Sequence, residues 1–186
     1  MFRYNLLMMT PAQSDNSLIA CCGLYCGACS FQVAFEENDR KHLIRMPTKY
    51  DKYKDAPMER CDGCRAGGCG HGFTDCAAAR GVEHCGRCDS FPCSRLQDFT
   101  RDGIPHHSGV VANLERIRRV GERKWLEEQT AAWRCLCGAR LSWYHQTCDR
   151  CGRPAVDPKS NRDHRPGGSV GRERENSPTG NRTHSR

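Results

Sequence analysis

The stretch CCGLYCGACSF, residues 21 to 31, sets four cysteines in eleven positions, and the fold turns on what those thiols do. The whole chain has 186 residues and 15 cysteines, close to the density at which a chain is read as cross-linked rather than core-stabilised. Hydrophobic residues make up 37% and the mean hydropathy is -0.77, which predicts a thin apolar core for one ordinary domain or two small ones. Disulfides, bound metal or simple packing are the available roles for the thiols.

Disulfides require an oxidising compartment. The N-terminal segment MFRYNLLMMTPAQSDNSLIA offers only the short apolar run LLMM, less than a signal-peptide core, and no window reaches the length of a membrane span. The expectation is therefore a cytoplasmic protein without a membrane partner, whose thiols stay reduced. An odd cysteine count also fits free or metal-bound thiols better than a closed disulfide set.

The formal charge of +7 does not by itself point to nucleic acid, because residues 153–186 hold eight Lys or Arg against four Asp or Glu and so carry +4 of it. A zinc ion held by four thiolates forms a unit of net charge about −2, since the thiols lose their protons on binding. Two or three such sites would leave the rest of the chain near neutral.

Four regions follow from composition: a flexible lead-in over 1–20, a cysteine-rich metal-binding domain with helices over 21–130, a compact unit over 131–152, and a disordered basic tail over 153–186. In FQVAFEENDRKHLIRM the apolar positions Phe31, Val33, Ala34 and Phe35 precede Leu43, Ile44 and Met46, predicting one helix broken near Asn38. PTKYDKYKDAPMER reads as a loop. DCAAARG reads as a short helix capped by Asp75 and stopped by Gly81, and Ser94 can cap SRLQDF. In VVANLERIRRVGERKWLEEQ, Val110, Val111, Leu114, Ile117 and Val120 recur at helical spacing, with Gly121 set to bend the helix and Arg116, Arg118, Arg119 and Arg123 on a solvated face.

Two cysteines separated by two residues can aim both thiolates at one metal, and a second such turn completes the tetrahedron zinc prefers. CDGC at 61–64 and CGRC at 85–88 have the separation of a four-cysteine zinc site. In a second arrangement Cys61, Cys64, Cys69 and Cys76 form one site, leaving Cys85, Cys88 and Cys93 for the cluster that begins with Cys22, Cys26 and Cys29. A further site would join Cys22, Cys26 and Cys29 with Cys76 or Cys93. His71 is either a ligand or a solvated loop residue, and His84 sits beside Cys85. The other histidines, including His106 and His107, read as surface residues. CLCG and CDRCG contribute Cys135, Cys137, Cys148 and Cys151, each pair followed by glycine, which suits the turn whose N–H groups approach thiolate sulfur. Trp133, Trp143 and Tyr144 supply a hydrophobic wall of the kind a miniature zinc-ribbon-like β unit needs.

The C-x3-C-x2-C spacing of Cys22, Cys26 and Cys29 is also used by radical enzymes that hold an iron–sulfur cluster, but the chain after Cys29 lacks their alternating strands and helices. CGLYCGAC, CDGC, CAAARGVEHCGRCDSFPC and the NLERIRRVG helix, in that order, resemble the uncharacterised prokaryotic family called domain of unknown function three-seven-nine-five. The likeness spans about residues 21–120. It implies a small cysteine-rich metal-binding protein with no established reaction, and carries over Cys22, Cys26, Cys29, Cys61, Cys64, Cys69, Cys76, Cys85, Cys88 and Cys93. Where such sequences show another C-x-x-C turn, Cys69 matches but position 72 is Gly72.

The expected molecule is a small metal-stabilised, mainly α protein with irregular cysteine-rich loops, a C-terminal zinc-ribbon-like β unit and a disordered basic tail. Its expected role is a zinc-binding structural or protein-interaction module. The alternatives are a redox protein carrying an iron–sulfur cluster and, less favoured, a zinc ribbon that binds nucleic acid. No Ser/His/Asp set, phosphate-cradling glycine loop or HExxH helix recommends an enzyme.

Overall fold

The computed structural model describes residues 18–61, 63–66 and 71–155. Cys69, most of the lead-in and nearly all of the tail lie outside the described residues. The described part is mainly helical, without extended strands.

Helix α1 spans Ser30–Glu37 and buries Val33 and Ala34. It ends where the sequence places the break: Asn38 adopts the left-handed conformation, φ 49 and ψ 41, and its N–H reaches the Ala34 and Phe35 carbonyls. Asparagine tolerates this conformation better than other residues with a Cβ, so it can end the helix without glycine. The chain resumes as α2, Lys41–Ile44, which buries His42 and Leu43. The segment expected to be a loop instead forms a 3-10 turn over Thr48–Tyr50 and the one-turn helix α3, Asp51–Lys54. Arg40 holds it by donating Nη1 to the carbonyls of Lys54 at 2.7 Å and Ala56 at 2.8 Å.

Helix α4, Phe73–Ala79, starts two residues before the expected cap, so Asp75 stands in its first turn rather than ahead of it. Helix α5, Ser94–Thr100, takes Ser94 as its first residue and Cys93 as its cap position. The long amphipathic segment is two helices, α6, Val110–Val120, and α7, Glu122–Ala132. Gly121 between them has φ 84 and ψ 159, a conformation open essentially to glycine alone, and the predicted bend is a full break.

This break folds α7 back on α6. Val110, Leu114 and Ile117, one stripe of α6, join Trp125 and Leu126 of α7, Leu96 and Phe99 of α5, and Phe73 and Ala77 of α4. Ile19, at the end of the predicted lead-in, is fully buried, and Cys21, Cys22, Tyr25 and Cys26 belong to the same core. The chain is thus less dependent on cross-links than its composition predicts. The arginine face is tied internally: Arg116 Nε meets Glu128 at 3.0 Å, Arg123 meets Glu127 at 3.0 Å, and Arg118 lies over the Phe91 ring.

The C-terminal unit consists of two turns, each closed by one antiparallel bridge: Arg134 to Arg140, and Thr147 to Pro154. Its aromatic wall faces the helices rather than its own interior. Trp143 donates its backbone N–H to the Ala28 carbonyl at 3.0 Å and stacks its ring on His106 at 3.9 Å, while Tyr144 packs beside Ala34, Leu43 and Met46. Arg140 pairs with Glu36 and donates to the Gly27 carbonyl at 2.9 Å. His106 and His107, read from sequence as surface residues, are packing residues: His107 is buried, stacked on Phe99 at 3.8 Å and paired with Asp102 at 2.7 Å. Among the described residues no helix is long and apolar enough to cross a membrane.

Candidate metal centre

The cysteine pairs fold locally as their spacing requires. Cys26–Ala28 and Cys85–Arg87 are each a single 3-10 turn, with Cys29 and Cys88 next in line. Residues three apart eclipse one another in a 3-10 turn, so each turn presents its two thiols on one side. Cys64–Ala66 is also a 3-10 turn, but it starts at the second cysteine of its pair and carries one thiol.

In the C-terminal unit both bridged turns end on a left-handed glycine, Gly138 at φ 86 and Gly152 at φ 70. The first closes through Cys135 N–H to Ala139 O and Gly138 N–H to Cys135 O, both 2.8 Å. The second closes through Cys148 N–H to Arg153 O and Gly152 N–H to Cys148 O, also 2.8 Å. The result is a four-sulfur cage. Cys135, Cys137, Cys148 and Cys151 place their Sγ atoms all within 4.8 Å of one another, with Cys135 to Cys151 at 3.4 Å and Cys137 to Cys148 at 3.5 Å. A tetrahedral ion with metal–sulfur bonds of about 2.3 Å sets its sulfurs ~3.8 Å apart, inside this range. These four cysteines can hold a metal ion.

The cage already leans toward ionisation. Burial is the largest influence on Cys148 and opposes charge, yet the N–H groups of Cys151 and Arg150 and the Cys137 and Cys135 thiols outweigh it and bring Cys148 down to about 6. For Cys135 the Cys137 N–H pulls downward, but burial and hydrogen bonds with Cys151, Cys148 and Cys137 win and push it up to about 11. One sulfur thus ionises readily while another resists, and a cation among them removes that conflict.

The cage is fastened to the helices by a buried polar chain that the sequence reading missed. His42 Nδ1 meets Ser142 Oγ at 3.2 Å, Ser142 donates its N–H to His145 Nδ1 at 3.1 Å, and His145 Nε2 meets Asp149 at 3.3 Å, one residue past Cys148. Arg45 pairs with the same Asp149. The only available sequence signal was two histidines each beside a hydrophobic residue, Leu43 and Tyr144, which spacing alone does not connect.

The main-block cysteines lie on the elements that pack around α6. Cys85 and Cys88 share one cavity with Cys76 and Cys93, and Cys61 and Cys64 do not line it. Cys22 is pushed up to about 12, by burial first and then by neighbouring Cys26 and Cys85. Cys85 is likewise pushed up to about 12, by burial and then by Cys93, Cys76, Cys21 and Cys88. The two turns are also stitched together by Cys85 N–H to Cys21 O at 2.8 Å. Burial and then the neighbouring Tyr50 push the Tyr144 hydroxyl up, and nearby Cys29 adds the smallest contribution. Cys64 is buried in the main core and its carbonyl accepts from Thr74 Oγ1 at 3.0 Å. His71 is exposed and packs its ring edge-on against Phe99. His84 is fully buried beside Cys85, its Nε2 on Glu122 at 3.1 Å, which also receives Arg87 at 2.7 Å and so ties the Cys85–Arg87 turn to α7.

No curated protein and no solved structure matches the chain. Residues 18–98, which include the main-block cysteines and helices α1 to α5 up to Asp98, match the family model described as Protein of unknown function (DUF3795).

Proposed function

We propose that the chain is a zinc-binding structural or protein-interaction module, in which Cys135, Cys137, Cys148 and Cys151 hold one zinc ion as a zinc-ribbon-like unit. The observation that carries this reading is the closeness of the four sulfurs, all within 4.8 Å. That spacing suits one ion, whereas an iron–sulfur cluster interposes its own irons and sulfides and spreads its ligands further. Soft thiolates in a tetrahedral set favour zinc, and four protein ligands leave no open position for substrate.

The ion fastens the last two turns to the helices. Little else in residues 133–155 is buried beyond Leu141, Ser142, His145 and Cys148, so the unit depends on its metal and on docking against α1 and α2. The protein-interaction part of the proposal is supported by Leu136, 89% exposed at the tip between Cys135 and Cys137. The test is metal analysis of protein purified without oxygen: one zinc equivalent is expected to leave with Cys151→Ser. Unchanged metal content in that variant rejects the site.

A further inference from the structure

A second four-thiol arrangement lies within the helical block. Cys76 projects from α4, Cys85 and Cys88 come from the Cys85–Arg87 turn and its successor, and Cys93 precedes α5. All four line one cavity of about 40 Å³. Phe73, Ala77, Val82, Phe91 and Leu96 make most of the rest of its wall, which is therefore apolar. At its rim Arg80 donates Nη1 to Cys88 Sγ at 3.6 Å and to Ser90 Oγ at 3.1 Å, and it also interacts with Cys76.

Three features separate this group from the C-terminal cage. Its four cysteines line a cavity and are not drawn together as in the cage: among the described residues, the C-terminal quartet is the set whose ligand atoms all come within 4.8 Å. The cavity exceeds the ~10 to 15 Å³ a single water requires, so it has room for a body larger than one ion. Finally, an apolar wall with four soft ligands and the two guanidiniums of Arg80 and Arg95 offers nothing to a hard, hydrated ion, while N–H donation to sulfur and limited water access are the means by which proteins tune iron–sulfur centres.

We propose that Cys76, Cys85, Cys88 and Cys93 hold an iron–sulfur cluster. Transfer of a preformed cluster from a thiolate-ligated carrier breaks four Fe–S bonds to the carrier and forms four to Cys76, Cys85, Cys88 and Cys93, whose S–H protons pass to the released carrier thiolates, without change of oxidation state. Arg80 compensates part of the negative charge the thiolates bring. The C-terminal cage plays no part in this site, so the two centres stand or fall separately.

The test uses the full chain isolated without oxygen, assayed for iron, acid-labile sulfide and zinc, with a visible spectrum. At least two irons with matching sulfide and a broad visible absorbance are expected. Both should be lost in Cys76→Ser/Cys93→Ser, which should keep its zinc and helical circular dichroism. Cys151→Ser should keep iron and sulfide and lose zinc. Absence of labile sulfide from the unaltered protein, or its persistence in the double variant, overturns the proposal. If the double variant does not fold, Arg80→Gln, at an exposed side chain, is read instead: loss of the cation should move the cluster's reduction potential to a more negative value. An unchanged potential counts equally against the assignment.

Discussion

The C-terminal cage and the cysteine cavity use the same side chain four times, yet they are built in opposite ways. In the cage, two short turns bring the sulfurs within 4.8 Å, and few apolar side chains surround them. In the cavity, helices α4 and α5 and a 3-10 turn set the four cysteines along its lining, against a core that includes Phe73, Ala77 and Leu96. Cysteine content alone therefore does not say which part of a chain needs metal in order to fold. What matters is whether apolar burial already fixes the segments that carry the thiols.

The comparison is most easily broken by removing metal. A zinc chelator under reducing conditions should unfold residues 133–155 while the α6–α7 pair persists, because structural zinc in small peptides contributes apparent free energies of roughly 10 to 16 kcal/mol. Near-ultraviolet circular dichroism of Trp143 and amide exchange of α6 would read the two regions separately. Collapse of both together would show that the helical core does not stand without the cage.

The converse experiment attacks the core. Trp125 is 1% exposed and packs edge-on against Tyr25 at 6.0 Å, so Trp125→Ala should cost about 3 to 5 kcal/mol of stability in urea unfolding. Its zinc content should not change. A loss below about 1 kcal/mol would mean that the apolar core matters less than its burial implies.

A smaller effect sharpens the junction between the regions. Burial, aided by the charges of His42 and Arg45, pulls His145 down to about 4, whereas an unfolded histidine titrates near 6.5. Between those values the unfolded chain binds the extra proton. The stabilisation from a neutral His145 is therefore complete above about pH 6.5 and is lost as the pH falls toward 4. Imidazole resonances followed by NMR should show His145 still neutral at pH 6 and titrating near pH 4. A midpoint near 6.5 would place it outside the buried chain described above.

Much of this organisation was legible in the sequence where the signal is local. Asn38 ends α1, Gly121 separates α6 from α7, and the 110, 114, 117 stripe enters the core, because each depends on a residue's own conformational range or on helical period. The C-terminal quartet was legible for the same reason: two glycine-ended cysteine turns separated by a short connection. The cavity quartet was not. Cys76, Cys85, Cys88 and Cys93 sit on three elements whose meeting depends on α4 and α5 packing against α6, which spacing alone does not show. Likewise His42, His145 and His106 carry no local pattern, and only tertiary packing turns them into the junction between the two regions.

The central claim, that four C-terminal thiolates share a single ion, is tested most directly by X-ray absorption at the zinc edge on protein prepared without oxygen. The account predicts four sulfur neighbours at about 2.3 Å, with the signal lost in Cys135→Ser. Nitrogen or oxygen neighbours, or a full sulfur shell surviving that substitution, would contradict it.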